Sequence, residues 1–210
     1  MVWCAIGLAT CSFAYTKLLG LGELLGVDLS AQFGGLWQYL TNLGLVATAI
    51  TLLLSLTDAL LPSSSPTSPS PTFKLKELSS IIALPGETLI FLLYWSIMLA
   101  KPELMVPTRQ VDDPANPGQL LTETIRLPLS TDLALHGIPA VFLLVEHLLF
   151  SPSFPSSSTS PATLLGPFIT TIAYCLWVEY CAMQNGHFPY PLLEIMDAPA
   201  RGALYVGCSA

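Results

Sequence analysis

Among the ionisable side chains in long apolar stretches of the sequence, five are candidates for chemistry: Asp58, Glu87, His136, Glu146 and Glu179. A charge at the centre of a bilayer helix costs about 2.5–3.5 kcal/mol on insertion scales, so such groups face the bundle interior and often mark function. Asp58 stands near the end of its stretch and reads as interfacial. Glu87 follows Pro85 and can bond backbone groups freed by the proline. Glu146 and Glu179, in consecutive stretches, read as structural groups that bond other helices. His136 has a reactive counterpart at its own depth. Thr41 and His136 each stand about five residues into their apolar runs, the second and the fourth. Runs two and four cross in the same direction if all five runs are spans, and ~1.5 Å of rise per residue puts both side chains ~7 Å below one membrane face. There a hydroxyl and an imidazole form a nucleophile–base pair if the helices touch. Membrane-helix threonines more commonly bond their own i−4 carbonyl, so depth alone leaves a structural role open. Asp132, one turn before His136, is the candidate to orient the ring, and it also suits the start of a helix, where Asp caps. Glu146 is ten residues beyond His136, ~15 Å of rise, and too far to orient it.

The elements that position these residues follow from composition. The 210 residues are 52% hydrophobic and 10% charged, against roughly 25% charged in a soluble domain. This excludes an ordinary soluble globule, and the high hydrophobicity excludes disorder. Fourteen acidic and seven basic residues give a net charge of −7, which leaves no electrostatic footprint for nucleic acid. The pattern predicts an all-α polytopic membrane bundle, one integral domain over residues 1–210. Its five full spans lie near 2–20, 36–61, 78–100, 131–150 and 162–183, and a truncated sixth starts at Arg201. The first run has no basic residue before it and reads as a span rather than a cleaved signal. Ser/Pro-rich linkers occupy 62–72 and 151–161, and residues 101–130 read as a long polar, proline-rich loop. Pro85 should kink the third span, and Lys74 and Lys76 should lie at headgroup level. Counting basic residues puts Lys101, Arg109, Arg126 and Arg201 on the Thr41/His136 face, which would make that face cytosolic.

Other chemistries lack their residues. There is no G-x-S-x-G elbow, H-E-x-x-H helix or Walker A loop. The five cysteines form no C-x-x-C pair, and His136, His147 and His187 lack the spacing of a di-iron site. No cofactor and no metal are expected.

Four short segments resemble one family in order and spacing. They are Trp37-Gln38-Tyr39-Leu40-Thr41; His136 with Glu146 ten residues on; Tyr174 with Trp177; and Gly186-His-Phe-Pro-Tyr-Pro191. They look like the W-x-Y-L-T, H-x9-E, Y-x-x-W and G-x-x-x-Y-P segments of the androgen-induced (AIG/ADTRP) family of multi-pass membrane proteins. The resemblance implies an intramembrane threonine hydrolase that cleaves fatty acid esters of hydroxy fatty acids at the branching ester bond. It places the catalytic threonine on Thr41 and the catalytic histidine on His136. The sequence departs from the family at Leu133, where a further histidine is common, and in its long linkers and incomplete last span. The implied partners are the bilayer and a lipid ester substrate. The implied setting is an endomembrane, such as the endoplasmic reticulum, or the plasma membrane. A different class of reading is a non-catalytic multi-pass protein that acts through partners or lipid regulation. A proton path or transporter using Glu87, Glu146 and Glu179 would be expected to show an internal repeat, and none is evident.

Overall fold

The computed structural model describes residues 1–22, 28–61, 70–106, 108–112, 114, 116, 118–150 and 161–209. Most of the two Ser/Pro linkers, 62–69 and 151–160, therefore lies outside the described residues. Helix α1 (Val2–Leu19) buries Cys4, Gly7, Cys11, Ala14 and Leu18. That stripe of small residues, with Leu18 at its end, repeats every three or four positions and lets neighbouring backbones approach, as bilayer helices require. Helix α2 (Leu40–Leu60) packs against α1 and, more extensively, against α3 (Pro71–Ala100). The α2–α3 crossing is tight because of Gly44: a Cβ there would come within 2.6 Å of Ile90 Cδ1 and 2.7 Å of Glu87 Oε1. Helix α3 starts at Pro71 under a Ser70 cap, whose hydroxyl accepts from Phe73 N at 2.9 Å. Ser70 and Thr72 both bond Asp58, which ties the end of α2 to the start of α3.

Residues 101–130 are not the plain loop expected. They carry an antiparallel hairpin, β1 (Thr108–Asp112) with β2 (Leu120–Thr124), in register Thr108↔Thr124 to Asp112↔Leu120. The flanking prolines hide two five-residue strands, and Gly118, two residues before β2, has φ +93°. The fourth run is also not one straight span. Helix α4 (Leu129–His136) and α5 (Ile138–Val145), the latter continued by a π turn over Glu146–Phe150, meet at a 43° bend. Pro139 follows that bend, and the Trp95 indole donates to the carbonyl of His136 at 3.1 Å, satisfying an acceptor at the break. Helix α3, by contrast, runs through Pro85 as one helix. Helix α6 (Pro161–Asn185), a short α7 (Pro191–Ile195) and α8 (Ala198–Ser209) complete the bundle.

Among the described residues four helices are long and apolar enough to cross a bilayer, or five if the bent α4–α5 pair is one span. The stretch expected to open a sixth span is the twelve-residue α8, too short to cross. Large apolar side chains point outward, with Leu92, Leu99, Ile169, Leu176 and Met183 all exposed. In contrast, Asn42, Thr48, Thr51 and Glu87 are buried. This inside-out distribution suits a lipid solvent and is the reverse of a soluble domain.

Candidate functional site

The site forms where α2 begins. Gly34 has φ +82°, and a Cβ there would lie 2.8 Å from Cys181 Sγ, so the chain turns sharply against α6 only because this residue is glycine. A 3₁₀ turn over Gly35–Gln38 leads to Tyr39, the residue before α2. Side chains from distant segments fix this entry. The Trp177 indole donates to Trp37 O at 2.9 Å, and the Tyr174 hydroxyl to Gln38 O at 3.2 Å. The Tyr190 hydroxyl accepts from Leu40 N at 2.9 Å. Asn185 bonds both backbone groups of Phe33, accepting at 2.8 Å and donating at 3.1 Å. Three of the four short segments singled out from the sequence thus meet at one place: Trp177, Tyr174 and Tyr190 hold the turn that presents Thr41.

Thr41 is the second residue of α2, on the wall of an apolar cavity of about 750 Å³ between α2, α3, α6 and α8. Its side chain lies close to the Tyr190 hydroxyl. Tyr39 and Tyr190 contact edge to face, with ring centroids 5.7 Å apart. Burial pushes the Tyr39 hydroxyl up to about 12 and that of Tyr190 upward from its ordinary value, so both keep their protons at neutral pH.

His136 and Asp132 form the second half of the site. His136 Nδ1 lies 2.9 Å from Asp132 Oδ1, and both residues are buried. The imidazole stacks on Tyr94 with centroids 3.6 Å apart and planes 9° apart. Tyr94 itself lines the cavity. The structure thus brings Asp132 to His136 and places Thr41 on the cavity wall, with Tyr94 between cavity and imidazole. Among the described residues no hydrogen bond joins Thr41 to His136, although α2 and α4 pack directly.

The remaining acids have separate partners. Glu87 accepts from Thr48 Oγ1 at 3.1 Å between α2 and α3. Glu146 faces inward, where Ser55 donates to it and the Lys76 ammonium lies 3.3 Å away. Lys76, expected near the headgroups, stands five residues into α3, is 3% exposed and turns toward the Glu146 carboxylate. Glu179 pairs with Arg201 at 2.7 and 3.2 Å and accepts from Tyr205 at 3.0 Å, joining α6 to α8. Sequence reasoning missed Tyr94, for which no local signal exists. It also missed Asn42, a wholly buried amide without a partner among the described residues, which was legible as a polar residue beside Thr41 in an apolar run. Among the described residues no group of His, Cys, Asp or Glu is arranged to hold a metal ion.

The chain matches the family described as FAR-17a/AIG1-like protein over residues 4–210. It is similar to a UPF0641 membrane protein of Schizosaccharomyces pombe, 33% identical over 183 residues, which covers 87% of this chain and 73% of the relative. No solved structure matches it.

Proposed function

The chain belongs to the FAR-17a/AIG1-like family of membrane proteins, and on that premise we propose that it hydrolyses lipid esters within the membrane, fatty acid esters of hydroxy fatty acids being the substrate class. The observation that carries the reading is the position of Thr41. It lies on the wall of an apolar cavity, at the end of the bundle where an aspartate-bonded histidine stands on the adjoining helix.

Thr41 Oγ attacks the ester carbonyl while His136 takes its proton. The tetrahedral intermediate collapses to an acyl-threonine, and His136 returns the proton to the leaving alkoxide, releasing the hydroxy-acid part as an alcohol. A water, deprotonated by His136, then attacks the acyl-threonine, and the carboxylic acid leaves as Thr41 regains its proton. Asp132 engages Nδ1 and so favours the tautomer with Nε2 free to accept. Tyr94, which lines the cavity, stacks on one face of the imidazole. The Thr41–His136 contact closes when substrate binds, since catalytic hydrogen bonds are often long before that point. The Tyr190 hydroxyl, protonated and beside Thr41, is placed to donate to the developing oxyanion.

The test is hydrolysis of a branched fatty acid ester by purified, reconstituted protein. Thr41→Ala and His136→Ala should each abolish it with the fold intact. Full activity in either variant refutes the assignment.

A further inference from the structure

The cavity is a groove, and its dimensions specify more than the presence of a lipid. Along α3 its wall extends from Ser80 to Ile97, seventeen residues or ~26 Å of rise. Gly44 touches Ile90, and α2 and α3 run antiparallel, so Thr41, three residues nearer the membrane face, stands about level with Leu93. Below that level the wall continues thirteen residues to Ser80, ~20 Å. Carbon–carbon bonds of ~1.5 Å at ~111° advance ~1.25 Å per carbon, so this length accepts an extended chain of about sixteen carbons.

Apart from Ser80 and His147, the wall of that stretch is chemically suited to a hydrocarbon. Thr170 and Thr171 give their hydroxyls to the carbonyls of Gly166 and Pro167 at 2.9 Å each. Their methyl groups are what remains for the groove. The hydroxyls of Tyr174 and Tyr205 are committed to Gln38 O and Glu179. Gly86 stands in the middle of the wall, about seven residues or ~10 Å below the Thr41 level. A helix-interior glycine costs about 1 kcal/mol relative to alanine. At Gly44 close helix packing accounts for that cost. At Gly86 it does not, because no atom lies within 4 Å of the position its Cβ would occupy. The space beside Gly86 is groove.

We propose that the groove from Thr41 past Gly86 to Ser80 is the acyl-chain site of the ester, with Gly86 as the residue that admits chains longer than about eight to ten carbons. The proposal rests on the hydrolase reading for the identity of its ligand. Gly86→Leu fills the groove halfway, whereas Gly86→Ala adds one methyl and leaves it open.

Reconstituted wild type, Gly86→Ala and Gly86→Leu are compared on esters that differ only in acyl length. Wild type and Gly86→Ala should prefer chains of about sixteen carbons. Gly86→Leu should lose at least about tenfold in kcat/KM on these, since single-methylene misfits cost that much, and keep its rate on chains of eight or fewer. Identical length profiles for wild type and Gly86→Leu overturn the groove while leaving the threonine hydrolase standing. A second arm does not need turnover: a non-hydrolysable sixteen-carbon ether analogue with a diazirine at its methyl end. Its label should map near Ser80 and Gly166, and Gly86→Leu should abolish it. Labelling spread over outward residues such as Leu92 and Leu99, or unchanged by Gly86→Leu, overturns the site even if no ester is hydrolysed. Labelling as expected from a protein inactive on every ester retains the groove and rejects the hydrolase.

Discussion

Removing the Lys76 ammonium should unfold part of the bundle, and removing its partner as well should restore it. Lys76 and Glu146 are 3% and 2% exposed and 3.3 Å apart, and Ser55 also donates to the carboxylate. Two buried opposite charges stabilise each other by roughly as much as their dehydration costs, so the intact pair contributes little net. Lys76→Met leaves the Glu146 carboxylate with its hydroxyl donor but without its cation, and breaking such a pair costs about 3–5 kcal/mol. Glu146→Leu leaves Lys76 beside Glu77, 3.7 Å away and more exposed, so its penalty should fall at the lower end of that range. The double variant removes both charges of the buried pair and leaves only the more exposed Glu77 carboxylate without its cation. It should recover to within about 1 kcal/mol of wild type or exceed it, which gives a coupling energy of several kcal/mol in the double-mutant cycle. Denaturation in detergent by titrated SDS measures all four proteins. Ester hydrolysis per folded molecule should hardly change, because ten residues separate Glu146 from His136. Single losses below about 1 kcal/mol that simply add in the double variant would refute the reasoning.

Three further outcomes follow from the geometry. Asp132→Asn keeps the shape beside His136 Nδ1 but removes the charge, and should lower kcat by about 10²–10⁴-fold with unchanged thermal stability; a rate within threefold of wild type counts against Asp132 as the orienting group. Tyr190→Phe strips the Leu40 amide of its acceptor, and should cost about 1–3 kcal/mol in detergent melts, with no change expected if water fully replaces the hydroxyl. Gly44→Val drives a side chain into Ile90 and Glu87 and should destabilise by about 1–3 kcal/mol or more, while the same change at Gly86, beside open space, should perturb the fold far less.

The bundle was legible because lipid imposes long apolar runs, and α1, α2, α3 and α6 each contain one. What the runs conceal is where polar groups end up. Lys76 looks like a headgroup lysine by its neighbours Lys74 and Glu77, and only the inward turn of Glu146 from another helix reveals its burial. The hairpin of 108–112 with 120–124 was hidden because its strands are short, framed by prolines and without alternation of apolar and polar residues in the sequence. The bend between His136 and Ile138 is set by Gly137 and Pro139 together, two residues that bilayer helices otherwise tolerate. At the site, a shared depth singled out Thr41 and His136, and i−4 spacing singled out Asp132. That Trp177, Tyr174 and Tyr190 hold the Thr41 turn could not be read from spacing, because those bonds join residues 136 to 150 positions apart. Tyr94 came without warning for the same reason: its place against His136 depends on how α3 crosses α4.

The central claim is that Thr41 carries the acyl group during turnover. The most direct measurement is peptide mass spectrometry of reconstituted protein quenched in acid during hydrolysis of a branched fatty acid ester. The account predicts an acyl mass on the peptide that contains Thr41, with fragment ions placing it on that residue, and no such mass in Thr41→Ala. Rapid ester hydrolysis with the acyl group on another residue, or undiminished hydrolysis by Thr41→Ala, would contradict it.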